Sequence, residues 1–138
     1  MLRIESAPAL FAATALVLGF LGGVTFGQGS PPSETKGQNV VLLQNIELTD
    51  EIDSVKGRPL RLRKITFEAG GVAAIHSHKD RPAFTYVLDG TVTELRGGGY
   101  KKEYGPGGVI TESRDVTHWA ENKGATKAVL VGVDIIKP

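Results

Sequence analysis

The sequence of 138 residues contains no cysteine and only one methionine and one tryptophan. The absence of cysteine excludes disulfide bonds, thiolate metal ligands and a cysteine nucleophile, and it suits a chain that passes through an oxidising compartment. The sequence also lacks an excess of either charge, because 16 lysines and arginines stand against 15 aspartates and glutamates. Nucleic-acid-binding domains usually carry a basic excess, so no nucleic-acid partner is expected.

Long stretches with helical periodicity are also lacking beyond the N-terminal segment, whereas the chain contains 18 glycines and 7 prolines. A chain of this length has room for one domain. Short apolar runs separated by turns rich in glycine and proline are typical of all-β sandwiches and barrels. We therefore predict a single all-β domain.

The N-terminal segment predicts export. Residues 1–6 carry the α-amine and Arg3, residues 10–24 are apolar apart from Thr14, and small residues follow up to Gly27. This order is that of a secretory signal peptide, predicted here to span residues 1–27, and it directs a protein to the periplasm or the extracellular space. The alternative is a retained membrane anchor that tethers the domain, because residues 7–26 are about long enough to span a bilayer.

The rest of the chain divides into a predicted linker at residues 28–39, which is polar with proline, serine and glycine, and a predicted domain at residues 40–138. The strand-like segments of this domain are 40–43, 58–68, 84–88, 91–96, 100–104, 109–111, 117–121 and 127–136. The dipeptide Asp89-Gly90, which separates two of them, predicts a β-hairpin. Within residues 58–68 the apolar alternation changes parity near Lys64, which predicts a bulge or a bend.

The chain contains only three histidines, namely His76, His78 and His118. Because His76 and His78 are two residues apart on a strand-like segment, their side chains are expected to point to the same side. Two imidazoles at this spacing can share one metal ion, and closure of a barrel can bring His118 opposite the pair. The alternative is a set of surface histidines or hydrogen-bonded core residues.

Two spaced motifs around these histidines resemble the two motifs of the cupin superfamily. The residues that match the first motif are Gly70, His76, His78 and Gly90, and those that match the second are Gly107, His118 and Asn122. The match covers nearly the whole of residues 40–138. The resemblance implies a small type-2 cupin, that is, a cupin-type double-stranded β-helix or jelly-roll barrel, in which the three histidines bind one divalent metal ion. The metal would be Fe, Mn, Zn, Cu or Ni, since all of these accept imidazole.

The sequence departs from the cupin pattern at two places. The family's glutamate ligand is expected at Ala83, or at Pro82 with the shorter spacing, and neither residue can bind a metal. The Pro-x-Gly of the second motif is replaced by residues 113–115, Ser-Arg-Asp. Sites made of three histidines occur among cupins, notably in thiol dioxygenases, so the resemblance still implies a metal site.

Five further residues are candidates for binding a substrate or supporting the histidines. Arg81 can bind a substrate carboxylate, or it is a solvated loop arginine. Tyr86 either donates a hydrogen bond into the cavity or fills the core. Glu94 and Glu112 are candidates for general acid or base catalysis. The alternative is that they are charged residues at exposed positions of strands. Asn122 is expected to be a turn residue whose amide caps nearby backbone.

The leading functional hypothesis is a small metal-dependent enzyme, similar to an oxygenase, that acts on an anionic or oxygen-rich small molecule. The first alternative is a non-catalytic cupin module that binds metal or a small ligand as a sensor or accessory protein. The second is a membrane-tethered interaction domain with a vestigial site. The resemblance to small cupins also implies a homodimer.

Overall fold

The computed structural model describes residues 29–137, so the predicted signal at residues 1–27 lies outside the described residues. The strands are β1 (Lys36–Glu47), β2 (Pro59–Ser77), β3 (Ala83–Asp89), β4 (Val92–Arg96), β5 (Lys101–Tyr104), β6 (Val109–Glu112), β7 (Thr117–Glu121) and β8 (Ala128–Ile135). A three-residue 3-10 turn at Gly97–Gly99 connects β4 to β5. Between residues 29 and 137, no helix is long and apolar enough to cross a membrane.

The eight strands form one antiparallel sheet that curls into a nearly closed barrel, and the all-β prediction agrees with this architecture. The strand order is β5-β4-β7-β2-β8-β3-β6, and β1 pairs with β2 outside this path. Strand β1 begins at Lys36, so it includes the last four residues of the segment interpreted as a linker. Strand β2 contains 19 residues, enough for its first half to pair with β8 and its second half with β7.

Two glycines bend β2 between these halves. Gly70 has a φ of +74°, a conformation that side chains other than glycine rarely adopt. A Cβ atom on Gly71 would lie 2.6 Å from the carbonyl oxygen of Gly37, so only glycine fits beside β1. The bend carries β2 towards β7 and places His76, and His78 just beyond the end of the strand, on the side of His118.

The hairpin predicted at Asp89-Gly90 is wrong. Strand β3 pairs with β6 and β8, whereas β4 pairs with β5 and β7, so the two strands that flank Gly90 are not partners. Gly90 has a φ of +71°, and a Cβ atom there would lie 2.6 Å from the carbonyl oxygen of Lys127. Glycine is therefore required at this position, because the chain turns tightly here and passes close to the start of β8. The turn separates β3 from β4, which pair with different strands.

The bulge predicted near Lys64 is also wrong. Strand β2 pairs with β8 without interruption from Leu60 to Phe67, and the register shift nearby lies in β1, between Leu42 and Gln44. The change of parity has another cause: Arg61 and Arg63 point into the barrel and alternate with outward-facing leucines. The prediction failed because it assumed that the apolar residues of a strand face inwards.

The apolar core lies inside the barrel. Its most buried members, which are at most 2% exposed, are Phe67, Val87, Val92, Ile110, Ala128 and Leu130. Burial of a side chain as large as Phe67 or Leu130 contributes about 1.5–3 kcal/mol to folding. Core residues and several polar side chains line the same cavity, which has a volume of about 470 Å³.

Candidate metal centre

The three histidines lie together at this cavity. His76 on β2 and His118 on β7 are direct partners across the two strands, and His78 follows His76 at the end of β2. The centroids of the three rings are 4.7–5.1 Å apart. His78 and His118 are buried, at 1–2% exposed, whereas His76 is half-buried.

The Nδ1 atom of each ring lies next to an oxygen atom that can only accept a hydrogen bond. These acceptors are the carbonyl oxygen of Ala74 for His76 (2.8 Å), that of Arg81 for His78 (3.0 Å), and Oε1 of Glu94 for His118 (2.9 Å). In the neutral rings the proton must therefore be on Nδ1, which leaves a free lone pair on each Nε2.

The three Nε2 atoms point towards one another. The Nε2 atom of His118 lies 3.1 Å from that of His78 and 3.2 Å from that of His76, and the ligand atoms of all three rings lie within 4.8 Å of one another. Two imidazole nitrogens that bind one ion at about 2.0–2.1 Å stand roughly 2.8–3.4 Å apart at bond angles of about 90–110°. Lone pairs at these distances repel each other unless a cation lies between them. The three histidines therefore fit a divalent metal ion.

The surroundings keep the histidines in the form that binds a metal. Burial lowers the pKa of His78 to about 4, although its hydrogen bond to the backbone of Arg81 has the opposite effect. Burial likewise lowers the pKa of His76. Both rings are therefore neutral at pH 7, and neutral imidazole is the form that coordinates metal ions.

Glu94 on β4 holds the ring of His118 and is itself fully buried. Its carboxylate also accepts hydrogen bonds from Arg96 at 2.7 Å and from the hydroxyl of Tyr104 at 3.0 Å. Burial alone would raise the pKa of this carboxyl, but the hydrogen bonds from His118, Arg96 and Tyr104 outweigh it and lower the pKa to about 2. Glu94 is thus an ionised orienting group, whereas an exposed position was the alternative expected from the sequence.

Glu112 on β6 provides a second carboxyl group beside the histidines. Its Oε1 atom lies 3.7 Å from Nε2 of His118 and accepts a hydrogen bond from Thr85 at 3.3 Å. Burial raises the pKa of this carboxyl. In the pairing of β3 with β6, Glu112 stands directly opposite Ala83, where the cupin resemblance places the glutamate ligand. The chain therefore has a carboxyl group next to this position, on the neighbouring strand.

Arg81 lies between β2 and β3 and lines the cavity. Sequence reasoning missed three charged residues inside the barrel, namely Arg61, Arg63 and Asp134. Asp134 is 1% exposed and forms ion pairs with both arginines. Two features of the sequence could have indicated them. One is an aspartate within the otherwise apolar run of β8, and the other is a pair of arginines two residues apart on a strand, whose side chains point to the same side.

Tyr86 and Asn122 lie away from the histidines. The structure places Tyr86 on the outer face of β3 with 44% exposure, so it lines neither the cavity nor the core. Asn122 is 1% exposed, and its amide nitrogen lies within hydrogen-bonding distance of three backbone carbonyl oxygens, of which that of Thr126 is nearest at 2.7 Å. Its side-chain oxygen accepts a hydrogen bond from the backbone N–H of Gly124. Asn122 therefore ties β2 to the turn that precedes β8.

Solved structures with a similar fold come from several organisms. KdgF from Halomonas sp. has a TM-score of 0.59 at 15% identity, over 76% of this chain and 87% of that chain. The polyketide cyclase RemF from Streptomyces resistomycificus has a TM-score of 0.60 at 21% identity, over 78% of this chain and 70% of that chain. A predicted oxalate decarboxylase from Thermotoga maritima has a TM-score of 0.55 at 17% identity, over 78% and 94% of the two chains.

At these sequence identities, the similarity shows a shared fold and says nothing about activity. A search of curated protein sequences found no match. Residues 63–135, which include all three histidines, Glu94 and Glu112, match the family model described as the cupin domain. Because this match covers more than half of the chain, the protein belongs to the cupin domain family.

Proposed function

We propose that the protein binds one divalent metal ion through His76, His78 and His118 and acts on a small anionic or oxygen-rich molecule in the barrel cavity. In this proposal it is a metal-dependent enzyme of the oxygenase kind. The observation that supports it most strongly is the convergence of three Nε2 lone pairs whose rings are each fixed through Nδ1. Two similar structures are named as enzymes, but at 21% and 17% identity they support the fold alone.

The ion, when bound by three neutral imidazoles, supplies Lewis acidity and, if it is a redox-active metal, chemistry with O₂. The residues of the chain have separate tasks around it. Glu94 keeps the proton of His118 on Nδ1 and so keeps Nε2 available. Glu112, whose pKa is raised by burial, can hold a proton within 3.7 Å of the ligand atom of His118. The cavity of about 470 Å³ limits the substrate to a small molecule.

A non-catalytic module that binds metal or a small ligand is the second candidate. The observation that favours it is Ala83, which has no ligand atom at the position of the family's glutamate. In this case the barrel would be a sensor or an accessory protein that retains its ligand without changing it.

Turnover measurements separate the two candidates. The full chain is freed of metal and loaded in turn with Fe²⁺, Mn²⁺, Zn²⁺, Cu²⁺ or Ni²⁺. Each sample is incubated with a panel of small carboxylates and polyhydroxylated compounds, while O₂ uptake and products are measured. The enzyme proposal predicts a product with at least one metal and none with a folded His118→Ala variant. Metal-dependent binding without a product would support the sensor or accessory module instead.

We also propose that the protein is a dimer of two identical chains that pack through the outer face of the sheet. Six apolar side chains on this face are 37–60% exposed: Leu62, Phe84, Tyr86, Leu88, Val109 and Val133. Together they leave roughly 500 Å² of apolar surface, which is in the upper part of the range of about 300–600 Å² found for the largest apolar patch of a monomer, and such patches are often functional. Two such faces with a polar rim reach the lower end of specific interfaces, about 1,200 Å² in total.

Export is a further part of the proposal, and it depends on the pattern of residues 1–27 alone. The full chain is produced in a bacterial host, and the mass of the protein recovered from the periplasm is measured. A cleaved signal predicts a mass reduced by that of the first 27 residues or close to it. An undiminished mass in the membrane fraction would support the anchor instead.

A further inference from the structure

The cavity that contains the histidines has an excess of positive charge. Three arginines line it, Arg61, Arg63 and Arg81, against a single lining carboxylate, and one further carboxylate outside the lining pairs with two of them. The lining carboxylate is Glu112, whose pKa is raised by burial, so that it carries its negative charge less readily. The carboxylate outside the lining is Asp134, which is 1% exposed. The side chains of the cavity alone therefore favour an anion.

Asp134 is shared unequally between two guanidinium groups. Arg61 binds it through two parallel contacts, from Nε to Oδ1 at 3.0 Å and from Nη2 to Oδ2 at 2.8 Å. Arg63 reaches it through a single contact, from Nη2 to Oδ2 at 3.0 Å. The paired fork of Arg61 is the stronger arrangement. Of these two arginines, Arg63 is therefore the one whose positive charge is less completely compensated by Asp134.

Arg63 also has a donor without an acceptor. In the part of the chain that the structure describes, its Nε atom is the one buried side-chain nitrogen or oxygen that has no hydrogen-bond partner. The side chain is only 13% exposed. Burial lowers the pKa of the Arg63 guanidinium, Arg61 and Arg81 lower it further, and Asp134 opposes this effect. Buried charged donors are normally paired, so an unpaired N–H at a cavity indicates that a ligand completes it.

We propose that Arg63, together with Arg81, binds the carboxylate of a small organic anion inside the barrel. A planar guanidinium matches a carboxylate in shape and charge, and the side chains of both Arg63 and Arg81 line the cavity. The inference rests on the proposed function in one respect only, which is that the rest of the bound molecule faces the histidines. It assigns Arg63 as the residue that selects carboxylates over neutral molecules of the same size.

The experiment uses sodium malonate and its neutral counterpart malonamide. Each compound is titrated into the metal-free full chain, and binding is measured by calorimetry. The Nε–H resonance of Arg63 is first assigned in the wild-type protein and is then followed by NMR during the titration. Malonate is expected to bind and to shift this resonance, whereas malonamide leaves it unchanged. The Arg63→Lys variant keeps the positive charge but lacks the Nε–H donor and the planar group, and it should bind malonate at least about tenfold more weakly.

Arg114→Lys is the matched control, because Arg114 is exposed and lies outside the cavity lining, and its affinity for malonate should equal that of the wild type. If Arg63→Lys does not fold, the wild-type resonance still decides the question. The proposal is overturned if malonate does not bind the metal-free protein, if Arg63→Lys binds it equally well, or if the Nε–H resonance does not move. A separate zinc titration of the same protein variants tests the metal site. Failure of the carboxylate-binding proposal can therefore be distinguished from failure of the metal-binding proposal.

Discussion

Nδ1 of His118 lies 2.9 Å from Oε1 of Glu94, and this contact determines which nitrogen of the ring faces the cavity. The carboxylate is fully buried, and Arg96 and Tyr104 hold it from other directions. A rotation of the His118 ring would break its bond to a buried, ionised group. A carboxylate that orients a histidine in this way is a common feature of metal sites in proteins.

We predict that Glu94→Gln weakens zinc binding by about 10- to 100-fold, because the neutral amide holds the His118 ring less firmly and makes it less basic. The free energy of unfolding should also fall by about 1–3 kcal/mol, since Arg96 loses its charged partner. Zinc titration and urea unfolding measure the two effects. Glu103→Gln, an exposed change on β5, is the control and should alter neither. Equal zinc affinity in Glu94→Gln and wild type would show that Glu94 does not support the site.

We predict that the metal-free protein loses stability as the pH falls from about 6.5 to about 4. The pKa of His78 is about 4 in the folded protein, below its ordinary value of 6.5. Between these values the unfolded chain takes up a proton that the folded protein does not, so protonation favours unfolding. The loss from His78 alone is roughly 3 kcal/mol. His76, whose pKa is also lowered, acts in the same direction.

Urea unfolding of the metal-free protein at pH 7 and pH 4.5 measures this loss. Replacement of His78 by glutamine should reduce the difference between the two pH values. Below pH 4.5 a further loss is expected, because Glu94 has a pKa of about 2 in the folded protein and the unfolded chain therefore takes up this proton at a higher pH than the folded protein does. A protein equally stable at pH 7 and pH 4.5 would rule out this account of the buried histidines.

We predict that Glu112→Gln has opposite effects on metal affinity and on stability. The carboxyl group lies 3.7 Å from the ligand atom of His118, so loss of its negative charge should weaken zinc binding about tenfold. Burial raises the pKa of Glu112, which means that the charged form is disfavoured in the metal-free protein. A neutral glutamine should therefore leave the melting temperature of that form unchanged or raise it. A lower melting temperature with normal zinc affinity would make Glu112 a structural residue.

We predict that Phe84→Glu converts a dimer into a monomer. Phe84 is 60% exposed on the outer face of the sheet, where a second copy would bury it, and a buried unpaired carboxylate opposes association. Sedimentation equilibrium gives the mass of both forms. Ile52→Glu, in the exposed turn between β1 and β2, should remain dimeric. A monomeric wild type would contradict the dimer proposal.

The sequence predicted the class of fold from local patterns, and it predicted the three histidines from the spacing of His76 and His78 together with a family resemblance. Alternation within strands and glycine-rich turns are sufficient to predict an all-β domain. The spacing of His76 and His78 by two residues predicted that their side chains point to the same side, and the family resemblance added His118. Direct pairing of His76 with His118 could not be read from spacing, because it depends on the bend of β2 at Gly70 and Gly71.

The errors arose where a local pattern has more than one tertiary use. Gly90 was correctly placed in a tight turn, but a turn does not say which strands pair, and β3 and β4 pair with other strands. Arg61 and Arg63 were overlooked because charged residues are expected to face solvent. Their partner Asp134 is 73 residues away from Arg61 in the chain, so the compensation of charge becomes visible only in the folded barrel.

The most direct test of the metal site is a titration of the metal-free full chain with Co²⁺, followed by its visible absorption, in the wild type and in His118→Ala. We expect one ion per chain in the wild type, and an affinity at least about 100-fold lower in the variant, with circular dichroism confirming that the barrel remains folded. Undiminished Co²⁺ binding in His118→Ala, or no binding by the wild type, would contradict the proposal that the three Nε2 atoms hold a metal ion.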